Sequence, residues 1–590
     1  NAGLAALGRA PWEYLVLRTP PAAWREEDSL LCYYAMWFDL QDYRGNYERN
    51  RDALRQALGQ AALDFFAPRG NSWDAPLDDS AFPTPALPPL RIKAADPAAP
   101  TAMVEQPSKR VIGSNAFALA GAHTATGAAM LANDMHLDLN LPQIWYRAAL
   151  QWNDDRGAHR LVGVTLPGTP FITVGSNGRI AWGYTDAYVD TTDVITVGVE
   201  NRANSFYQTP DGWKEIEDRT EVIKIKGGET VPFTARWTRW GPFIDGPKDG
   251  RGLVLRWAAH DVAATNLHSL DLENAQNVAE AVAIAHRTGI PHENTIIADA
   301  DGNIAWTITG PLPKRVGFDG RVPVTWGYGD RRWDGYRAPE EVPVVTNQPK
   351  GPADILAKDG AVWTGNNRAL GNEAYAKLGD SGYDEGARAG QIRDDLRALI
   401  ASGKKAQPAD LLAIQMDNRA VFLERWQKLL LAVLSDQAVA SQPTRAELRD
   451  VVRGWAGRAS VDSAAYRLVR NFRLRVAELA FAPFAEAAQQ EYAGFTWRGF
   501  PYEDAVWRLA NEKPAGLLDS KYASWDALLL AAADDVAATG RKGGPLAKYT
   551  WGERNRLSMK HPFSRFLPQW VAKWLNMELV PQAGDVDMPN

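Results

Sequence analysis

The sequence has 590 residues, which is enough for a large core or several domains. Its 65 basic and 71 acidic residues give a formal net charge of −6, which excludes the basic footprint typical of proteins that bind nucleic acid or anionic membranes. The single cysteine, Cys32, excludes an internal disulfide, and the absence of a long apolar run predicts no membrane insertion.

The predicted elements change character along the chain. Residues 1–66 have apolar positions at helical spacing, and residues 67–113 form a Pro/Ala-rich segment that we interpret as a linker or excised spacer. Short strand-like runs dominate residues 114–385, with a hairpin signal at Asp301-Gly302. Residues 386–590 are helical and then mixed. Blocks of this kind predict α+β layers rather than a doubly wound sheet.

One junction between these segments has residues that could form a catalytic nucleophile. Gly113-Ser114-Asn115 ends the Pro-rich segment and opens the β-rich one. If the peptide bond before Ser114 breaks, one residue carries both a hydroxyl nucleophile and a free α-amine that serves as its base. A Gly-Ser-Asn step is common in turns, so this junction alone does not identify a nucleophile.

Further short motifs follow the junction in a fixed order. They are Asn-Asp-x-His-Leu at 133–137, Pro-Gly-x-Pro at 167–170, Gly-x-Asn-Gly-x-Ile-Ala-Trp-Gly at 175–183, Ala-Asp-x-x-Gly-x-Ile at 298–304 and Asn-Asn-Arg at 366–368. Each is weak alone, but together the series resembles the penicillin acylase family, whose members include penicillin acylases and N-acyl-homoserine lactone acylases. The resemblance runs over nearly the whole chain.

The resemblance implies a fold and a maturation. The fold is a four-layer αββα N-terminal-nucleophile hydrolase sandwich with additional helical segments. Self-cleavage between Gly113 and Ser114 leaves a short chain that associates with a long chain, residues 114–590, as a heterodimer. The expected substrates are N-acyl amides, with no organic cofactor. The resemblance also implies a periplasmic or secreted enzyme, although we recognise no signal peptide in this chain.

The resemblance also assigns catalytic residues. The freed α-amine of Ser114, with a pKa of roughly 7.7–8.0 if unperturbed, accepts the hydroxyl proton. The side chain of Asn366 and the backbone N–H of Asp186 are expected to bind the oxyanion, and Arg388 to support Asn366 and the new amino terminus. His136, in a turn-rich segment, is expected to orient the serine and favours the lactone-acylase side of the family. From spacing alone, Asn366 also fits a turn, Arg388 a solvated helix start and His136 a partly buried histidine.

A metal site and an acyl pocket complete the expectations. Asp190, the Thr192 carbonyl and Asp193 match a structural calcium-binding stretch, and Glu48 matches the glutamate that completes it; the alternative is a polar turn and an exposed helix residue. Leu137 and Val174 are expected to line the acyl pocket or to be ordinary strand packing. Val174 stands where the family often has a larger aromatic residue, which predicts a preference for medium or long aliphatic acyl groups over phenylacetyl.

Two departures from the family keep other interpretations open. The β-rich segment that opens the family's short chain has no match, and strands that follow the region from Trp551 to Pro562 in the family are missing, so we expect truncation at both ends. One alternative is a silent, truncated or unprocessed homologue on the same scaffold. A second is a carbohydrate-binding β-protein, given 23 tryptophans, and a third is a Ser-His-Asp hydrolase, for which no clear Gly-x-Ser-x-Gly elbow exists. The biological role, whether signal degradation, antibiotic hydrolysis or scavenging, is left open.

Overall fold

The computed structural model describes residues 1–42, 44–91, 113–137, 139–155, 157–200 and 205–590. Residues 92–112 of the predicted linker or spacer, residues 67–113, therefore lie outside the described residues. Within the described parts of the chain, no helix combines the length and the apolar character that crossing a membrane requires.

The N-terminal region is helical, as predicted. Its helices are α1 (Ala2–Ala6), α2 (Trp12–Leu17), α3 (Glu26–Leu40), α4 (Asn46–Leu58) and α5 (Gln60–Phe66). Gly59 separates α4 from α5, because its φ of 86° lies in the region that glycine adopts without strain. Residues 67–91 contain neither helix nor strand, which agrees with the prediction for the described part of the Pro-rich segment.

The middle of the chain consists mainly of strands. The strands are β1 (Gly113–Leu119), β2 (Met130–His136), β3 (Tyr146–Asp154), β4 (Gly157–Thr165), β5 (Val174–Ser176), β6 (Ile180–Asp186), β7 (Thr192–Gly198), β8 (Phe206–Thr209), β9 (Gly212–Glu215), β10 (Glu217–Ile223), β11 (Val231–Thr238), β12 (Gly241–Lys248), β13 (Arg251–Trp257), β14 (Glu293–Asp299), β15 (Ile304–Ile308), β16 (Pro313–Val316), β17 (Val324–Thr325), β18 (Arg332–Tyr336), β19 (Val344–Thr346), β20 (Asp354–Leu356), β21 (Ala361–Thr364), β22 (Arg556–Leu557) and β23 (Val580–Pro581). The predicted hairpin at Asp301-Gly302 is the antiparallel pair of β14 and β15.

The remaining helices lie mostly in the C-terminal third. They are α6 (Val278–Ala285), α7 (Asn372–Leu378), α8 (Ala387–Ala401), α9 (Pro408–Gln415), α10 (Glu424–Val433), α11 (Asp436–Ser441), α12 (Thr444–Arg453), α13 (Ala464–Glu491), α14 (Glu503–Glu512), α15 (Trp525–Arg541), α16 (Trp551–Arg554) and α17 (Gln569–Leu575). The long, largely buried α13 packs against α4, α10, α12, α14 and α15, so it joins the N-terminal helices to the C-terminal ones.

Two sheets face each other at the centre of the molecule. One has the order β2-β1-β21, and the other has eight strands in the order β20-β19-β15-β14-β6-β5-β4-β3. Phe117 of the first sheet shares a buried cluster with Ile296 of the second. The next residue, Ile297, points to the opposite face and clusters with Ile284 of α6, as the two-residue period of a strand requires.

Helices cover both outer faces of this pair of sheets. Helices α8 and α9 contact the β1 sheet, and α6 contacts β14 and β15 of the other. The layers are therefore α8 and α9, the β1 sheet, the eight-stranded sheet and α6, which confirms the α+β fold class and the αββα order. A further sheet, β10-β11-β12-β13-β7-β17, extends from the sandwich.

Two details differ from the sequence prediction. His136 is the last residue of strand β2 rather than part of a turn-rich segment, because its backbone lies opposite Gly113 in the β1–β2 ladder. The apolar run over residues 408–434 is not continuous helix, since it divides into α9 and α10 around Asp417. The Asp417 carboxylate accepts hydrogen bonds from the backbone and side chain of Arg419, a local alternative to helical bonding.

Candidate active site

Ser114 lies near the start of β1, where the two central sheets meet. Strand β1 is buried along its whole length between β2 and β21, and Ser114 is 6 % exposed. Its backbone N–H donates a hydrogen bond of 2.6 Å to Oδ1 of Asn366. The atom that self-cleavage would turn into an α-amine is therefore already held by a residue from a distant part of the chain.

Asn366 follows β21 in a left-handed backbone conformation, with a φ of 66°, and is fully buried. Its Oδ1 also accepts a hydrogen bond of 3.0 Å from Nη2 of Arg388, and its Nδ2 donates one of 2.9 Å to the backbone oxygen of Asp186. These partners fix the orientation of the amide, since a flipped amide would place its NH₂ group against two donors. Asparagine is among the non-glycine residues that adopt this backbone conformation most readily.

Arg388, in the first turn of α8, contacts both Ser114 and Asn366. It is 5 % exposed, and its Nη1 donates to the backbone oxygen of Ser114 at 2.9 Å and to Oδ1 of Asn115 at 2.8 Å. Its Nη2 donates to Asn366 and, at 2.5 Å, to the carboxylate of Asp384, which is 46 % exposed. The only ion-pair partner of Arg388 among the described residues is therefore partly solvated, which leaves positive charge beside the serine.

Asp186 ends strand β6 next to this centre. Its backbone oxygen accepts the Asn366 bond, and its side chain is 3 % exposed. Oδ1 of the carboxyl accepts a hydrogen bond of 3.2 Å from Nε2 of Gln41, whereas Oδ2 is buried with no hydrogen-bond partner among the described residues. Burial raises the pKa of Asp186 to about 7 because it disfavours the charged form.

His136 contacts the centre indirectly. Its Nε2 lies 2.6 Å from Oδ2 of Asp134 and 3.3 Å from Nδ2 of Asn115. No hydrogen bond joins its side chain to Ser114 in the described structure. His136 could therefore orient Ser114 only indirectly, through its strand pairing with Gly113 and through its side-chain contact with Asn115.

A mainly apolar pocket opens beside Ser114. Leu137 and Val174, the two residues predicted for the acyl pocket, both line it, and Met135 and Phe171 add further apolar surface. The pocket is narrow, with a cavity volume of about 70 Å³. Tyr33, Met36 and Leu40 of α3 form part of its wall, so residues on both sides of the Gly113–Ser114 bond build it.

The expected calcium ligands lie together in a second buried cluster. Glu48, on α4, accepts a hydrogen bond from the backbone N–H of Val194 at 2.8 Å. Arg315, on β16, makes ion pairs with Asp193 at 2.9 Å and Asp190 at 3.0 Å, and its Nη2 donates to the Thr192 carbonyl at 3.2 Å. An arginine thus contacts the oxygens that were expected to hold a cation.

The electrostatics of this cluster follow from its burial. Desolvation raises the pKa values of Glu48, Asp190 and Asp193, and the positive charge of Arg315 opposes that rise in each. Among the described residues, no three acidic, histidine or cysteine side chains are placed to hold a metal ion. In this arrangement the residues do not fit calcium, because Arg315 lies between the two aspartates.

Three residues of these clusters were missed in the sequence analysis. Asn115 directly follows the nucleophile and was available from the Gly-Ser-Asn step itself. Arg315 follows Gly-Pro-Leu-Pro-Lys, a segment whose spacing gives no sign of ion pairing with residues far earlier in the chain. Glu293 is the first residue of β14 and lines the pocket, but a polar residue at a strand start is unremarkable in a sequence.

Comparison with known proteins identifies the family. The model of the penicillin amidase family matches residues 1–590. The chain belongs to the penicillin amidase family. Membership agrees with the motif series and leaves no support for the carbohydrate-binding or Ser-His-Asp interpretations.

The individual relatives of this penicillin amidase family member are distant. The chain is 26% identical to the acyl-homoserine lactone acylase QuiP of Pseudomonas aeruginosa, over 72% of this chain and 50% of that protein. It is 29% identical to the penicillin acylase 2 proenzyme of Pseudomonas sp. strain SE83, over 80% and 58%. The chain thus spans about half the length of the curated relatives it matches. A thermostable penicillin G acylase from Alcaligenes faecalis shares the fold, with a TM-score of 0.57, 19% identity and coverage of 74% and 80%.

Proposed function

We propose that the protein is a self-processing acylase that hydrolyses the amide bond of N-acyl compounds through an ester on Ser114. The candidate substrates are penicillins, N-acyl-homoserine lactones and related acyl amides, since relatives with both types of name match the chain. The proposal depends on what surrounds Ser114. Its backbone nitrogen contacts Asn366, its backbone oxygen contacts Arg388, and the residue itself lines an apolar pocket.

The proposed reaction begins once the Gly113–Ser114 bond is broken. The free α-amine of Ser114 accepts the proton of its own hydroxyl, directly or through water, as Oγ attacks the amide carbonyl carbon. The tetrahedral intermediate collapses, the C–N bond breaks, and the proton passes to the departing amine. Water then attacks the acyl-Ser114 ester by the same proton route and releases the carboxylic acid.

Asn366 and Arg388 would stabilise the oxyanion in different ways. The Asn366 amide has two hydrogens, and Asp186 accepts only one of them, so the second is free for the oxyanion. The backbone N–H of Asp186 is the expected second donor. Arg388 fixes the Asn366 amide and adds positive charge in a site with little water, where preorganised donors are most effective.

The finer expectations stay predictions. A heterodimer of short and long chains, residence in the periplasm, quorum quenching or antibiotic hydrolysis, and calcium at Glu48, Asp190, Thr192 and Asp193 rest on the resemblance. The acyl preference also stays a prediction: kcat/KM should be higher for decanoyl than for phenylacetyl amides, and a clear phenylacetyl preference would contradict it.

Replacing the nucleophile tests the proposal directly. Mass spectrometry of the purified wild-type protein should find two fragments, the larger with Ser114 at its amino terminus. Ser114→Ala should stay uncut and lose about 10⁶-fold in the rate of amide cleavage, since removing a nucleophile leaves only binding and oxyanion effects. Ser402→Ala, a serine just after α8, is the matched control and should process and react normally.

Two outcomes would overturn the proposal. An active preparation in which Ser114 still carries Gly113 would show that the α-amine is not the base. A wild-type chain that stays intact and inactive under all conditions tested would favour the silent-homologue alternative.

A further inference from the structure

The pocket beside Ser114 contains an acidic pair within its apolar wall. Glu293, at the start of β14, and Asp186, at the end of β6, lie directly opposite each other in the antiparallel ladder. Residues in this relation project their side chains to the same face of the sheet, with Cβ atoms about 5 Å apart. Both line the pocket together with Ser114, so the two carboxyl groups border the space that an acyl group would enter.

Several polar groups of this pocket lack partners. The Glu293 carboxylate makes no hydrogen bond or ion pair with the described residues, and the groups that interact with its charge are the acidic side chains Asp186, Tyr33 and Tyr184. Oδ2 of Asp186 and the hydroxyl of Tyr33 are both buried without a hydrogen-bond partner in the described structure. Tyr33 is 8 % exposed and lines the same pocket. Buried polar groups without partners are uncommon and costly, so Oδ2 of Asp186 and the Tyr33 hydroxyl, beside the half-buried Glu293 carboxylate, indicate a ligand.

The charges define what that ligand carries. Burial raises the pKa of Glu293 well above its ordinary value, and the neighbouring Asp186 carboxyl raises it further. The hydroxyls of Tyr33 and Tyr184 also have raised pKa values, because they are buried near Glu293. No arginine or lysine lines the pocket among the described residues. The pocket wall therefore carries no basic residue among those described, in contrast to the Ser114 centre, which Arg388 contacts.

We propose that the acyl pocket selects acyl groups that carry a primary ammonium group, bound by Glu293 with Asp186 and Tyr33. The proposal rests on the proposed function, since it names the acyl half of that substrate. An ammonium group has three donors, and Glu293, Oδ2 of Asp186 and the Tyr33 hydroxyl supply matching acceptors. Met36 and Leu137 would pack against the apolar part of the acyl group.

Other acyl groups match the pocket less well. A purely apolar acyl group would leave the Glu293 carboxylate buried without a partner, which carries a desolvation cost. A hydroxyl group has one hydrogen to donate and no charge, and an acyl group with its own carboxylate would be repelled by the acidic pair.

Matched acyl 4-nitroanilides test this selection in the full-length protein. One pair is phenylglycyl and phenylacetyl, and the other is 6-aminohexanoyl and hexanoyl, so the ammonium lies near to or far from the carbonyl. At pH 7, where more of the phenylglycyl α-amino group is protonated than at pH 8, we expect kcat/KM for the ammonium member of at least one pair to exceed that of its neutral partner about tenfold or more, the range for a charged hydrogen bond. Glu293→Gln should remove that advantage, and Glu373→Gln, which changes an exposed glutamate of α7, should retain it.

Binding without hydrolysis separates this inference from the proposed function. Phenylglycinamide and 6-aminohexanamide are the ammonium ligands, and phenylacetamide, hexanamide and the hydroxyl analogue mandelamide are the controls. An ammonium ligand should raise the Tm more than its controls in the wild type but not in Glu293→Gln. This result without amide cleavage would reject the proposed function and keep the inference.

The opposite results would overturn the inference. Neutral members favoured or equal in both substrate pairs would do so in the wild type alone, whether or not Glu293→Gln folds. Equal Tm shifts from mandelamide and phenylglycinamide, together with no ammonium preference in the aminohexanoyl pair, would also do so, because they would show simple hydrogen bonding rather than recognition of charge.

Discussion

Two buried arginines, Arg388 and Arg315, differ in the groups that accept their hydrogen bonds. Arg388 donates to oxygens of Ser114, Asn115 and Asn366, which are uncharged, and its one ion pair with the described residues is with the half-exposed Asp384. Arg315 pairs with two buried aspartates, and its charge also acts on Glu48.

The difference separates two uses of the same residue type. At Arg388 the neutral acceptors and the half-exposed Asp384 leave the positive charge only partly compensated where the proposed oxyanion forms, which suits the proposed catalysis. At Arg315 the carboxyl groups outnumber the guanidinium group, so the arginine serves to hold α4, β7 and β16 together. The predictions below test this distinction.

Arg315→Leu should have the largest effect on stability. Removing the guanidinium leaves the buried carboxyl groups of Glu48 and Asp193 without their counter-charge and Asp190 with only the charge of Arg51. Breaking a buried ion pair in this way typically costs about 3–5 kcal/mol. Chemical denaturation of the full chain measures the loss. Arg332→Leu, which removes a half-exposed arginine of β18, is the control and should cost less than about 1 kcal/mol. A cost for Arg315→Leu as small as that of the control would contradict the structural role.

Asn366→Ala should reduce the rate of catalysis and should lower the stability of the fold less than Arg315→Leu does. The loss of one preorganised oxyanion donor typically lowers kcat about 10²–10³-fold, and KM should change little because the donor acts mainly on the transition state. Rates must be normalised to the fraction of chains with a free Ser114 terminus, since Asn366 also contacts that nitrogen. A variant with a normal kcat and a raised KM would place Asn366 in substrate binding alone.

Adding a metal chelator should have the smallest effect on the Tm of the three changes. If Arg315 supplies the positive charge of its cluster, an excess of EDTA should leave the Tm unchanged, because no metal is removed. A fall in Tm that added calcium reverses would restore the calcium site predicted from the resemblance. It would also require Arg315 to move away from Asp190 and Asp193.

The fold was largely predictable because its layers leave periodic signals. The helical spacing before residue 67, the strand-like runs after Ser114 and the Asp301-Gly302 hairpin all appear as expected. The division around Asp417 was missed because it depends on a side chain that competes with helical hydrogen bonds. His136 was misplaced since its strand character comes from pairing with Gly113, a distant partner that local composition does not reveal.

The site was predictable only through the resemblance. No local pattern links Ser114, Asn366 and Arg388, which meet because β1, β21 and α8 are neighbours in the sandwich. The roles of Arg315 and Glu293 could not be predicted for another reason. Their contacts depend on which strands pair and on which face each side chain points, and neither follows from the order of residues alone.

If the proposed cut occurs, the shared wall of the pocket would make association of the two pieces part of catalysis. Tyr33, Met36 and Leu40 lie upstream of the proposed cut, and a buried ion pair of 2.9 Å between Arg51 and Asp380 crosses it. If dilution allowed the short piece to depart, the pocket would lose one side and Asp380 would lose a buried counter-ion. Such an enzyme would need both pieces together to work, and the dissociation constant of the two pieces would set the lowest concentration at which it is active.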